Sequence, residues 1–349
     1  MLVNDVINTK AIAYTATQNA SNSVPFLGTQ FFPAIKKAGL DLKWIKTHKG
    51  LGVSLAPSNF DALPTLRARG GLDVVKTQMA FFREQMVITE EDEQEIARVQ
   101  DANDPYLASA LANIYDDANN LVEGAEIVAE RMRMQLLSSA QINITDAEKN
   151  VAYTYNYDPD GSYAKSNTKT LTTKWTDTTN AKPLTDLNNA KKALAKQGKK
   201  ATYVLMNSNT FQYLVDNAQV SKAILAQNAT ANIFISDDVV KQAIKLATGL
   251  TVLVYDKMFN GENGDENFYP DGKVTLLPEG TLGKTVYGTT PEERTATQVA
   301  DVDVTMYGVG IALAKKVEYG PPAITSITAS EIVLPSFENM DATYIITVA

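Results

Sequence analysis

The chain has no cysteine. That excludes disulfides, thiolate metal centres and cysteine nucleophiles together. It has one histidine, His48, so an imidazole relay or a histidine-based metal cluster would have to be built around that residue alone. No run approaches the roughly 18 consecutive apolar residues that a membrane-spanning helix needs. The opening Met1–Asp5 shows neither a basic patch nor a long apolar stretch, so no secretory leader is expected there. Positive charge is also short: 32 lysines and arginines face 40 aspartates and glutamates, a net charge of −8. That balance argues against a chain whose main task is gripping nucleic-acid phosphates or an anionic membrane. Much enzyme chemistry is excluded already.

What is present is ordinary globular material. The 349 residues are 44% hydrophobic and 21% charged, enough for two or three packed subregions. Residues 1–40 lack sustained periodicity but carry apolar anchors at Val24–Leu27 and Phe31–Phe32. They read either as a loosely held terminus or as an arm lying on a neighbouring subunit. Leu40, Leu42 and Trp44 begin a strand-like alternation, and Val74–Phe82 resumes one after the turn-rich Arg67-Ala68-Arg69-Gly70-Gly71. Residues 41–100 therefore read as a long hairpin with too few apolar residues for a core of its own.

The strongest local signal follows. Asp104 and Pro105 suit a helix start, and apolar residues recur at Leu107, Leu111, Ile114, Ala118, Leu121, Ala125, Val128, Met132 and Leu136. Steps of three and four keep that stripe on one face of a helix over 105–140, about 50 Å long at 1.5 Å per residue. Val151–Tyr157 alternates, Asp158-Pro159-Asp160-Gly161 is a turn, and Ser162–Trp175 is expected to return as the partner strand. From Pro183 helices and strands mix: helices at 184–195, 210–217 and 239–246, strands at 201–206, 250–255, 274–277 and 302–313. That mixture is an α+β or α/β layer domain. The tail, Ile324–Val348, reads as strands broken at Pro335.

No constellation for catalysis emerges. There is no phosphate-binding G-x-x-x-x-G-K-[ST] loop and no G-x-S-x-G elbow. Gly308-Val309-Gly310 starts like a dinucleotide loop, but Leu313 stands where the third glycine belongs. Asp116-Asp117 and Glu292-Glu293 are adjacent, not facing as a glycosidase pair requires. Asn260–Asn267 is oxygen-rich but misses the calcium-loop spacing. We expect no catalytic, cofactor or metal-binding residues. What remains is a shape of arm, ribbon, long helix and mixed domain, whose extended parts would bury against other copies.

The residues resemble a family, the phage lambda major head protein family of tailed-phage major capsid proteins. The resemblance is carried in order by Arg67–Gly71, the helix after Asp104-Pro105, the hairpin leading to Trp175, Leu250–Asp256, Phe268–Gly272, Val274–Leu277 and Pro278–Glu293. It implies an α+β Hong Kong 97-type capsid fold. Mapped on this chain, that gives an N-terminal arm at 1–40, an extended loop (E-loop) at 41–100 and a peripheral domain at 101–180 with a spine helix and hairpin. An axial domain at 181–320 follows, and strands at 321–349 return to the peripheral domain. The implied role is a self-assembling icosahedral shell around the double-stranded DNA of a phage, assembled in the bacterial cytoplasm and carried in the virion. The implied partners are further copies in hexamers and pentamers, a separate scaffolding protein, a portal, decoration proteins, and packaged DNA in weak non-specific contact. Some members of the fold class crosslink lysine to asparagine; Lys49 and Lys76 carry no matching motif. An encapsulin-like compartment shell is the alternative, with a carbohydrate-active enzyme or adhesin behind it.

Overall fold

The structure is a computed structural model that describes residues 8–22, 24–46, 73–88, 94, 106–146, 151–227, 236–261, 264–295, 302–318 and 324–349. In chain order it runs α1 (Thr9–Asn22), β1 (Ala34–Lys36), β2 (Asp41–Lys46), β3 (Asp73–Gln78), β4 (Ala80–Ile88) and α2 (Tyr106–Ser139). Next come β5 (Gln141–Asp146), β6 (Val151–Asn156), α3 (Ser162–Asn167), β7 (Thr168–Thr170), α4 (Pro183–Lys196), β8 (Tyr203–Met206) and α5 (Ser208–Val215). Then follow α6 (Ala218–Gln227), α7 (Asp237–Thr248), β9 (Thr251–Val254), β10 (Met258–Gly261), β11 (Gly264–Asn267), β12 (Lys273–Leu277) and β13 (Thr285–Tyr287). The chain closes with α8 (Pro291–Thr295), β14 (Val302–Tyr307), β15 (Ile311–Glu318), β16 (Ile324–Pro335) and β17 (Tyr344–Thr347). These elements form two units: residues 1–42, 76–133 and 284–336, and residues 43–75, 134–283 and 337–349.

The first unit is a sheet covered by helices. The twelve-residue β16 is its axis: β15 pairs antiparallel along Ile324–Ser330, and β4 pairs antiparallel along Thr325–Val333. β14 flanks β15, β13 pairs with the end of β16, and β1 runs parallel to β13. The helical stripe on α2 supplies the lid. Ala118 and Val122 meet Ile12 and Ala16 of α1, Ile88, Ile311, Leu313, Ile327 and Ala329 in one apolar cluster. Asn8 caps α1 by accepting from the Ala11 N–H at 2.8 Å. Thr9 then donates to Asp303, and Thr15 to Asn119 of α2, so polar ties fix the helix in place.

The second unit is a five-stranded mixed sheet in the order β7-β17-β12-β8-β9. Alternate residues point to opposite faces. Val204, Met206, Val252, Val274, Leu276 and Ile346 meet Leu187, Leu194, Phe211, Leu214, Val220, Ile224, Val240 and Ile244, so α4 to α7 all cover one face. On the opposite face Thr275 donates its hydroxyl to the Leu137 carbonyl near the end of α2 at 2.7 Å. Trp175 is fully buried on the helical side, its indole N–H donating to Asp186 at 3.1 Å.

Five expectations are corrected. The described arm residues are bound to their own chain, through α1, through buried Phe31 and Phe32, and through the β1–β13 pairing. The ribbon is shorter than 41–100: residues 80–88 are a strand of the first sheet, because Phe82 and its neighbours find nine ladder partners on β16. The hairpin is β5–β6, not 151–175, and Ser162–Asn167 is a helix. Its cause is Asp158, whose carboxylate accepts from the N–H groups of Tyr163 at 3.0 Å and Ala164 at 2.8 Å and so caps a helix. The last strands separate: β16 joins the first sheet, whereas β17 lies between β7 and β12 in the second. Likewise β13, β14 and β15, expected in the axial domain, belong to the first unit.

Candidate functional site

Residues screened for chemistry take structural roles. Gly308–Gly310 is the turn of the β14–β15 hairpin, which splits the strand expected over 302–313. Asp116 and Asp117 are exposed on α2. Glu292 is buried, accepting from Ser330 at 2.6 Å and pairing with Arg83 at 2.9 Å, while Glu293 pairs with Lys36 at 2.7 Å. Asn260–Asn267 forms the β10–β11 hairpin, apart from positions 262 and 263, which lie outside the described residues. His48 and Lys49 also lie outside them; Lys76 pairs with Asp41 at 3.1 Å. Among the described residues no group of three His, Cys, Asp or Glu side chains is placed to hold a metal ion. No described helix is long and apolar enough to cross a membrane.

The distinctive surface feature is the β2–β3 ribbon, a two-stranded sheet by itself. Its root is closed by the Met79 N–H donating to the Leu40 carbonyl at 2.9 Å. Farther out, the Trp44 ring stacks on Tyr157 with centroids 5.4 Å apart, and Tyr157 in turn meets Phe337 edge-on at 6.4 Å. Tyr157 is the first residue after β6, so the aromatic face of the β5–β6 hairpin leads into this anchor. Tyr153 and Tyr155 stack at 6.4 Å on the face that carries Ile142 and Ile144 across the ladder. Burial, with Tyr153 adding, pushes the Tyr155 hydroxyl up to about 12.

In the first unit the leading segment is fastened by a buried ionic network. Glu130 accepts from the Gly28 N–H at 2.8 Å and from Arg133 Nη1 at 3.0 Å. Arg133 Nε donates to Thr285 Oγ1 at 2.8 Å, and the Thr285 hydroxyl donates on to the Phe32 carbonyl at 2.8 Å. A Cβ on Gly28 would stand 2.5 Å from Glu130 Oε2, so glycine lets the backbone reach the carboxylate. Beside the network is a cavity of about 150 Å³ bordered by Phe26, Glu126, Arg133, Tyr287, Tyr307 and Ile311. Glu331 is 1% exposed, and neither of its carboxyl oxygens has a hydrogen-bond partner. Burial holds its pKa well above the ordinary carboxylate range; Arg133 opposes that shift and Glu126 adds to it. Burial raises Tyr307 to about 12, with Glu126 contributing through its charge and a hydrogen bond.

The arrangement holds proton-bearing groups but presents no nucleophile paired with a base. Its chemistry is fastening: it pins the chain near Gly28–Phe32 to α2 and β13. Sequence reasoning did not find this network. The available signal was Glu130 and Arg133 interrupting the apolar side of the helix beside Ala129 and Met132, and Glu331 inside the apolar run of β16. Of the segments that carried the family resemblance, Arg67–Gly71 and Asp104-Pro105 lie outside the described residues, and Phe268–Gly272 is a joint. Asn207 caps α5 by accepting from Thr210 at 2.9 Å and donates to Asp271, while the Gly272 N–H donates to Thr210 Oγ1 at 2.9 Å. Gly272 adopts φ +68°, and a Cβ there would stand 2.7 Å from that of Ala349.

The family model described as phage major capsid protein E matches residues 11–348. No curated protein sequence matches the chain. Among solved structures, a protein assigned as a prophage capsid protein of Escherichia coli CFT073 is 14% identical with a TM-score of 0.57, covering 98% of this chain and 99% of that one. A phage-related protein from Bordetella bronchiseptica RB50 is 13% identical with a TM-score of 0.54, covering 96% and 97%. The capsid subunit of cyanophage A-1(L) is 12% identical with a TM-score of 0.53, covering 93% and 92%. The chain thus has the Hong Kong 97-type capsid fold over nearly its full length. With the family match running over nearly its whole length, the protein belongs to the phage major capsid protein E family.

Proposed function

We propose that this capsid protein is the subunit of an icosahedral shell that encloses the double-stranded DNA genome of a tailed phage. The observation that carries the reading, beyond the family match, is the β2–β3 ribbon. An isolated pair of strands is marginal in water at best; this one buries Leu42 and Trp44 within its own chain, and leaves exposed Asp41, Lys43, Lys76 and Gln78 for sister copies to cover. Sheet edges offer the means: among the described residues β4 pairs only with β16, and β14 only with β15. An unpaired edge accepts a strand through main-chain hydrogen bonds.

In this reading residues 41–78 are the extended loop, α2 is the spine, and the sheet with α4 to α7 is the axial domain. The partners are further copies in hexamers and pentamers, a scaffolding protein, a portal, decoration proteins and packaged DNA, with assembly in the host cytoplasm. Each subunit contact would bury roughly 1,600 Å² in total, and the entropy lost on association keeps single contacts reversible while a closed shell endures. Nothing in the chemistry calls for an enzymatic role.

Electron microscopy of the purified, concentrated protein, with its scaffold where needed, is expected to show capsomers, shells or tubes. A compact monomer under every condition would sink the proposal.

A further inference from the structure

Charge is distributed unevenly along this chain. Between residues 182 and 248 there are nine lysines, four aspartates and no glutamate, a net +5 inside a protein of net −8, so the remainder carries −13. The segment is the helical layer of the second unit, α4 to α7, which covers a single face of the sheet. Helical spacing turns the apolar residues Leu187, Ala190 and Leu194 inward and Lys192 and Lys196 outward. The same spacing buries Val220 and Ile224 while Lys222 is exposed, and buries Val240 and Ile244 while Lys245 is exposed. Lys182 and Lys200 are exposed beside them.

Two lysines of the layer have internal work. Lys191 donates to the Thr248 carbonyl, and Lys241 lies over the Phe211 ring at 5.6 Å. The six exposed ones enter no ion pair among the described residues. Of the four aspartates, Asp186 accepts from Trp175 and Asp216 from Gln212, while Asp237 and Asp238 are exposed in the first turn of α7; four against nine leaves the layer at net +5.

There is no arginine between Arg133 and Arg294. Arginine would give planar, bidentate recognition of a chosen carboxylate or phosphate, whereas lysine supplies mobile point charges. A field of unpaired lysines without arginine suits a partner with regularly repeated charge, held through counterion release and free to slide. We infer that the outer face of the α4–α7 layer is the surface on which this protein contacts the phosphate backbone of double-stranded nucleic acid, without reading sequence. The inference rests on the shell reading for its setting: the acidic remainder limits overall affinity, and one basic face per subunit supplies weak, repeated contact.

The test is binding of a 30-base-pair duplex to the full chain by fluorescence anisotropy between 25 and 200 mM salt. The quadruple variant Lys192→Glu, Lys196→Glu, Lys222→Glu and Lys245→Glu is compared with a control of equal charge change, Lys10→Glu, Lys43→Glu, Lys165→Glu and Lys169→Glu. Affinity at 50 mM salt is expected to fall at least about tenfold in the first variant, with the salt slope reduced by roughly 3–4. The control is expected to change by less than about threefold. Equal weakening in both variants overturns the proposal, as does wild-type protein that assembles shells but binds no duplex, which leaves the shell reading standing. Tighter binding to poly-L-glutamate than to duplex of matched charge also overturns it, in favour of an acidic protein partner.

Discussion

Arg133 donates from Nη1 to Glu130 Oε2 at 3.0 Å, one turn back along the same helix, with both side chains withdrawn from water. The pair is fully engaged, because Glu130 also takes the Gly28 N–H and Arg133 also reaches Thr285. Removing one partner strands a charge in the interior. Arg133→Met is expected to destabilise the protein by about 3–5 kcal/mol, and the double variant with Glu130→Gln to recover much of that loss. Denaturant unfolding of the wild type and the two variants checks this. If the double variant is no better than the single one, the pair is not coupled.

Glu331 sets a pH dependence of known sign. Its folded pKa lies well above the ordinary 4.5, first through burial, with Arg133 opposing and Glu126 adding. The neutral acid is thus the form the fold favours. Its contribution is full below the pH at which the unfolded carboxyl titrates, and is lost as pH rises toward the folded value. Glu331→Gln is expected to melt higher than wild type at pH 8 and to converge with it near pH 4. Thermal melts across that range decide it; a variant that melts lower at pH 8 would show that Glu331 is stabilised as the anion.

Trp44 anchors the ribbon through its stack on Tyr157. Trp44→Ala is expected to cost about 3–5 kcal/mol locally, to raise amide exchange along β2, and to impair shell formation. Trp44→Phe keeps a ring in place and should assemble. Trp175, buried on the helical side of the second unit's sheet, supplies the internal control: its emission should stay that of an enclosed indole in both variants.

Asp158 decides between strand and helix after its own turn. Asp158→Ala removes the acceptor for two N–H groups and is expected to cost about 1 kcal/mol, with Asp158→Asn recovering most of it. Chemical denaturation measures the difference. Equal stability of all three proteins would contradict the capping role.

The elements with strong local periodicity were legible. Apolar steps of three and four from Leu107 announced the helix that the structure places at Tyr106–Ser139. The helices expected at 210–217 and 239–246 are found at Ser208–Val215 and Asp237–Thr248, the latter ending at Gly249, where φ is +73°. The Asp158–Gly161 turn was also visible, but its consequence was not. A turn followed by alternating residues suits a returning strand, and only the Asp158 carboxylate meeting two backbone N–H groups favours a helical turn instead. Phe81 and Phe82 were read as part of an outlying ribbon because their partners on β16 lie about 250 residues away.

By itself the sequence settled what short-range physics controls: helix faces, turns, the absence of thiol and imidazole chemistry, and an acidic total charge. The tertiary structure alone decided which strands share a sheet, that Glu130, Arg133 and Glu331 are withdrawn from water, and that the lysines of three helices, α4, α6 and α7, lie on one side of a sheet. Ladder pairing and the desolvation of a charge depend on residues hundreds of positions apart meeting in space. No local pattern encodes that meeting.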